Sequence, residues 1–192
     1  MTRIGIARAG PTTMAGLLLL AWAGLTTVRF WGNWGEDLSA LYFAARFAAD
    51  GAWATAYSGV AEFIGFGVPA WEAEMAAVGH PGADVTQYIY PPLWAALFGP
   101  LAKAVGPLAF FNGAVVCLSL ALALAALAVI RLVPPERLPP VRAALLAIAV
   151  MQIGFPFEYA LWLLQIQVVL VALVLWSAER ALAGREISAG ML

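Results

Sequence analysis

YIYPPLWAALFGPLAKAVGPLAFF, residues 88–111, decides how often this chain crosses a membrane. Pro91 and Pro92 suit the start of a helix, but neither can sit in its interior without losing backbone hydrogen bonds. Lys103 and Gly106 close the apolar run, so the predicted helix 91–105 has fifteen residues. A span needs about 20 residues to cover about 30 Å of hydrocarbon. If 91–105 crosses fully, the following turn VPPERLPP (133–140) emerges on the outer face beside Arg131, Arg137 and Arg142. If it is re-entrant or interfacial, the same turn faces the cytoplasm and satisfies the positive-inside rule. The two cases bracket the expectation at four to five spans.

Composition makes the membrane the frame for that choice. Of 192 residues, 64% are hydrophobic and 11% charged, against about 25% charged in soluble globular chains. A water-soluble fold of this size has too little interior for so much Leu, Ala, Val and Trp. The formal net charge of -1 leaves no basic footprint for nucleic acid. The single cysteine, Cys117, can form neither an intrachain disulfide nor a zinc site, and reads as a small apolar residue.

Working outward, residues 13–30 (TMAGLLLLAWAGLTTVRF) form a first span. Arg3 and Arg8 before it favour a short cytoplasmic N-terminus over residues 1–12. No small-residue cleavage site ends the run, so it is read as retained and not as a secretory signal. Residues 31–88 hold most of the acidic side chains and form a large extracytoplasmic loop. A structureless connection that long is unusual, so short interfacial helices are expected within it. Leu38, Leu41, Tyr42, Ala45 and Ala49 form an apolar stripe behind Asp37, with Gly51 as the stop. Trp53, Tyr57, Phe63, Phe66 and Trp71 suit the lipid headgroup layer. Residues 89–192 form the remaining transmembrane region, with apolar segments at 108–130, 142–157 and 160–178. The final GREISAGML reads as the edge of one span and the start of another, so the chain is expected to continue.

Asp37, Tyr42, Ala44, Ala45, Gly51 and Tyr57, followed by Tyr90, Pro91, Pro92, Leu93 and Pro100, form a pattern. It resembles the N-terminal part of the bacterial polyprenyl-phosphate-mannose-dependent alpha-mannosyltransferases, a family in the GT-C class of integral-membrane glycosyltransferases. The family's later Gly-Gln-x-Asn is matched only at Gln167, since Ile166 and Val169 stand at the Gly and Asn positions. The resemblance implies an all-α, GT-C-like polytopic protein of the bacterial plasma membrane. Its implied partners are a polyprenyl-phosphate-linked sugar donor, a glycan or glycolipid acceptor and membrane lipid.

The implied reaction moves a hexose, with mannose expected, onto a hydroxyl at the outer face. An inverting displacement needs one carboxylate to accept the hydroxyl proton and an acceptor held in line. The leaving phosphate ester is already a stable anion, so no second catalytic carboxylate is required. Asp37 fits the base, with Glu36 as its neighbour or substitute; like charges side by side tend to raise one pKa. An Asp before a helix also reads as an N-cap, and the two roles are compatible. Arg46 is the candidate for donor phosphate, or a snorkelling side chain. Tyr42, Tyr88 and Tyr90 are candidate substrate contacts, the last two serving equally as an aromatic belt. Glu158, Gln165 and Gln167 are polar groups in apolar surroundings, where function or helix packing accounts for them. Glu158 and Gln165 share a helical side. His80 reads as a loop residue. Asp50, Glu72 and Asp84 form no dense ligand set, so neither metal nor other cofactor is expected.

Two alternatives stay open. A transporter would draw on broken helices and intramembrane polar groups. A non-catalytic fragment or pseudoenzyme would account for the lost Gly and Asn.

Overall fold

The computed structural model describes residues 10–59, 67–185, 188, 190 and 191. Arg3, Arg8, Phe63 and Phe66 lie outside the described residues. Among those described, the regular elements are helices: α1 (Pro11–Phe30), α2 (Glu36–Ala49), α3 (Trp53–Ala56), α4 (Glu72–Ala77, led by a 3-10 turn at Pro69–Trp71), α5 (Pro92–Ala104), α6 (Pro107–Leu132), α7 (Pro140–Ile153), α8 (Phe155–Trp162) and α9 (Gln167–Leu182). They fall into two compact units. The first takes the described residues up to Arg29, then Val116–Glu158 and the chain from Gln167; the second takes Phe30–Val115 and Tyr159–Ile166.

In the first unit, apolar side chains face outward. Leu25 and Val28 on α1 are 71% and 75% exposed. In water each would forgo about 1–2 kcal/mol of burial, whereas in hydrocarbon it loses nothing. Inside the unit, α6, α7 and α9 line an apolar cavity of about 360 Å³ that includes Ala125, Val129, Met151 and Val171.

The second unit is built around α2. Nine of its residues are buried, among them Leu41, Tyr42, Phe43 and Ala44. It is therefore a central core helix and not an interfacial one. Its partner α5 approaches closely because the contact is made of small residues. A Cβ on Gly99 would stand 3.2 Å from the Ala45 carbonyl oxygen and 3.2 Å from the Ala49 Cβ. Trp71 is fully buried, its indole N–H donating to the Thr55 carbonyl at 2.7 Å, so it belongs to the core and not to a headgroup layer. Trp53 and Tyr57 are exposed. Gly51, at φ 73, ends α2 as its position in the sequence predicts.

The expectation of four to five spans, and with it the GT-C-like topology, is corrected by helix length. Among the described residues, only α1, of 20 residues, and α6, of 26, are long and apolar enough to cross a membrane. The count reaches three if the bent pair α7 and α8 is one span. Helix α5 has 13 residues and α9 has 16, or about 20 and 24 Å at about 1.5 Å per residue. The break between the expected segments 142–157 and 160–178 falls earlier, at Gly154, where the axes bend by 66°. A Cβ there would meet the Val150 carbonyl oxygen at 2.5 Å and the Phe157 ring at 2.9 Å, while Pro156 takes the second position of α8, which it tolerates. The expected segment 160–178 is also interrupted, because the chain unwinds between Trp162 and Gln167.

Candidate active site

Helix α2 starts at Glu36, with the extended Gly35 as its N-cap and no capping side chain. Asp37 is thus the second residue of the helix and not its cap. The Ser39 hydroxyl turns back to donate to the Glu36 carbonyl at 2.6 Å. This start is pinned to the end of α8 and the unwound segment 163–166 by three contacts. Asn33 donates from Nδ2 to the Trp162 carbonyl at 2.6 Å. Gln165 donates from Nε2 to Asp37 Oδ2 at 2.9 Å. Leu164 packs where Gly35 has no side chain, since a Cβ there would fall 2.6 Å from Leu164. Leu164 itself has φ 55, the one described non-glycine residue in that region, and is fully buried. On the other flank, the Gly32 N–H donates to Asn112 Oδ1 at 2.8 Å.

Burial raises the Asp37 pKa above the ordinary carboxylate value, and the Gln165 hydrogen bond works in the opposite direction. Burial also raises Glu36, helped by the charges of Asp84 and then Asp37. The site therefore joins an oriented, half-buried carboxylate of increased basicity to a second carboxylate beside it. That is the character of a proton acceptor. Nearby in sequence, Trp34 donates from its indole to the Asp84 carbonyl at 2.8 Å and packs at a tilt against His80 with centroids 4.7 Å apart.

The other candidate residues are placed elsewhere. Nine residues make about two and a half turns, so Arg46 leaves α2 on the face opposite Asp37. It pairs with Glu74 at 2.5 Å and donates to the Ala102 carbonyl at 2.9 Å. Burial disfavours its charge, but Glu74 and the Tyr42 hydroxyl offset this and raise its pKa. Tyr42 is fully buried and donates to the Val105 carbonyl at 3.0 Å. The Tyr88 hydroxyl donates to the Pro91 carbonyl at 2.7 Å and accepts from the Ala95 N–H at 3.1 Å, tying down the first turn of α5. Burial pushes its pKa up to about 12. Tyr90 packs on the Tyr88 ring, and its carbonyl accepts from the Tyr57 hydroxyl at 2.9 Å. Glu158 pairs with Arg29. Because α8 ends at Trp162, Glu158 and Gln165 do not share a helix. Gln167 is the exposed first residue of α9. Among the described residues, no group of three or more His, Cys, Asp or Glu could hold a metal ion.

Sequence reasoning missed Asn33, Gly35, Asn112 and Leu164. Asn112 carried a usable signal, as an isolated amide in an apolar run. Leu164 carried none. Comparison with protein families, curated proteins and solved structures finds no match to this chain. The GT-C and mannosyltransferase assignment is therefore withdrawn, and the Asp37 geometry is left to stand by itself.

Proposed function

We propose that this is a membrane-embedded glycosyltransferase, drawing a sugar from a polyprenyl-phosphate carrier and passing it to a hydroxyl acceptor, with Asp37 as general base. The observation that carries the reading is the pairing of Asp37 with Gln165: a carboxylate of raised pKa, fixed by an amide on an unwound segment. Asp37 follows the last residue of the apolar helix α1 by seven positions, a short tether from hydrocarbon to a carrier's phosphosugar. One Asp37 oxygen holds the Gln165 amide, and the other takes the proton as the hydroxyl attacks the anomeric carbon. The carrier phosphate leaves as an anion. Glu36, the carboxylate beside it, positions the acceptor hydroxyl. In this reading the site faces the outside of a bacterial plasma membrane.

The test is Asp37→Asn in membranes supplied with labelled polyprenyl-phosphate sugars, at matched protein level. Transfer should fall about 10²- to 10⁴-fold, the usual contribution of a general base. Unchanged turnover would remove Asp37 from the chemistry. A second reading, solute transport, rests on the same unwound segment, since broken helices supply backbone groups to bound solutes. Under that reading Asp37→Asn abolishes uptake and leaves envelope glycans unaltered.

A further inference from the structure

We infer that the Arg131 end of the first unit holds the phosphate headgroup of an anionic phospholipid. Helices α1 and α6 enclose a cleft of about 310 Å³ there, separate from every group used in the proposed reaction. Thr12 and Thr13 from the first turn of α1 and Arg131 from the last turn of α6 line one end; Leu17, Leu20 and Leu127, about one to two turns further along the same helices, line the other. Polar donors at one end and leucines at the other match a headgroup followed by an acyl chain.

The charge around Arg131 favours an anion. Glu179 stands between Arg131, at 3.9 Å, and Arg180, at 3.3 Å, so one carboxylate answers two guanidiniums. The first distance exceeds a hydrogen bond, which leaves the Arg131 N–H donors directed at no acceptor in this cluster. Both guanidiniums lie over the Trp176 ring, at 5.1 and 4.9 Å from its centre, within cation–π range. Two hydroxyls and a forked cation are a donor set for phosphate oxygens.

A lipid, and not a free anion, is indicated by what surrounds the cleft. Its lower wall is apolar, and Leu17 and Leu20 are about half exposed along α1. Arg137 follows in the turn after α6, and Arg142 lies in the first turn of α7. Clustered arginines at the end of apolar helices suit an anionic leaflet. The cleft also puts the first turn of α1 beside the last turn of α6, so the 133–139 turn shares a side with the start of α1.

The full chain in nanodiscs of mixed phosphatidylglycerol and phosphatidylcholine, released for native mass spectrometry, tests this. The wild type should retain phosphatidylglycerol over phosphatidylcholine, and Arg131→Gln should reduce that preference about fivefold, the effect of one basic side chain at an anionic surface. Thr12→Val/Thr13→Val, which removes no charge and keeps volume, should weaken retention while leaving the helical circular dichroism unchanged. It serves if the arginine variant misfolds. Equal retention of both lipids by the wild type would overturn the inference. So would full preference in a folded Arg131→Gln or double threonine variant, or release of the lipid by millimolar inorganic phosphate.

Discussion

The Gln165 amide reaches Asp37 Oδ2 at 2.9 Å across 128 positions of sequence. It can do so because the chain leaves helical geometry at Leu164, after α8 and before α9. Had the helix run unbroken from Glu158 through Gln165, the two would project from a common stripe. The break instead gives each its own partner, Asp37 for Gln165 and Arg29 for Glu158.

Gln165→Leu should therefore act through Asp37. The hydrogen bond that lowers the Asp37 pKa is lost while burial, which raises it, remains. The rising limb of kcat/KM against pH should move to higher pH, and Gln165→Glu, placing a second negative charge there, should move it further. A pH profile of either variant that overlays the wild type would show that the amide does not tune the carboxylate.

Asp37 also makes a stability prediction of definite sign. Its folded pKa lies above the unfolded value, so between the two the native state binds more protons than the unfolded state. Stability is then full below the unfolded pKa and falls as pH rises through the folded one. Asp37→Asn removes this loss, and the asparagine carbonyl still accepts from Gln165. Thermal unfolding in detergent should show a higher Tm for the variant at pH 7, with the gain disappearing towards pH 3. A residue that weakens the fold at working pH is the usual mark of a functional group.

How much of this was visible in the sequence depends on the range of each interaction. Helices α1 and α6 were legible because an unbroken apolar run needs only length to declare itself: 13–30 and 108–130 became Pro11–Phe30 and Pro107–Leu132. The stop at Gly51 was legible because a left-handed residue there favours glycine. The span count was not, since hydropathy registers apolar content without the backbone breaks at Gly154 and Leu164. Gly154 is excluded from side chains by Val150 and Phe157, a local clash that hydropathy does not register, and Leu164 is held in its conformation by packing on Gly35, a tertiary fact. For the same reason Asp37 was found but not Gln165 as its partner. Arg46 drew attention as an available cation, whereas Glu74, 28 residues away, had already claimed it.

Gly35→Ala should damage the site without touching a polar group. The added methyl falls 2.6 Å from Leu164, whose side chain is fully buried and cannot swing away. Overpacking of this kind costs about 1–3 kcal/mol. Tm should drop, and Leu164→Ala should partly restore the double variant relative to additivity. Strictly additive losses would mean the two residues do not meet.

The Arg46–Glu74 pair separates a structural from a phosphate-binding arginine. Both side chains are mostly shielded, at 16% and 23% exposure, and Arg46 also holds the Ala102 carbonyl. Removing either partner leaves the other charge poorly solvated, so Arg46→Gln and Glu74→Gln should each cost about 1–3 kcal/mol. The double variant should cost less than their sum, giving a coupling energy of about 1–2 kcal/mol in a thermodynamic cycle. If Arg46 serves only the fold, Glu74→Gln lowers Tm while leaving KM for the carrier-linked sugar unchanged in the surviving folded fraction. A KM that rises several-fold in Arg46→Gln but not in Glu74→Gln, at equal Tm loss, would instead put the guanidinium in contact with donor phosphate.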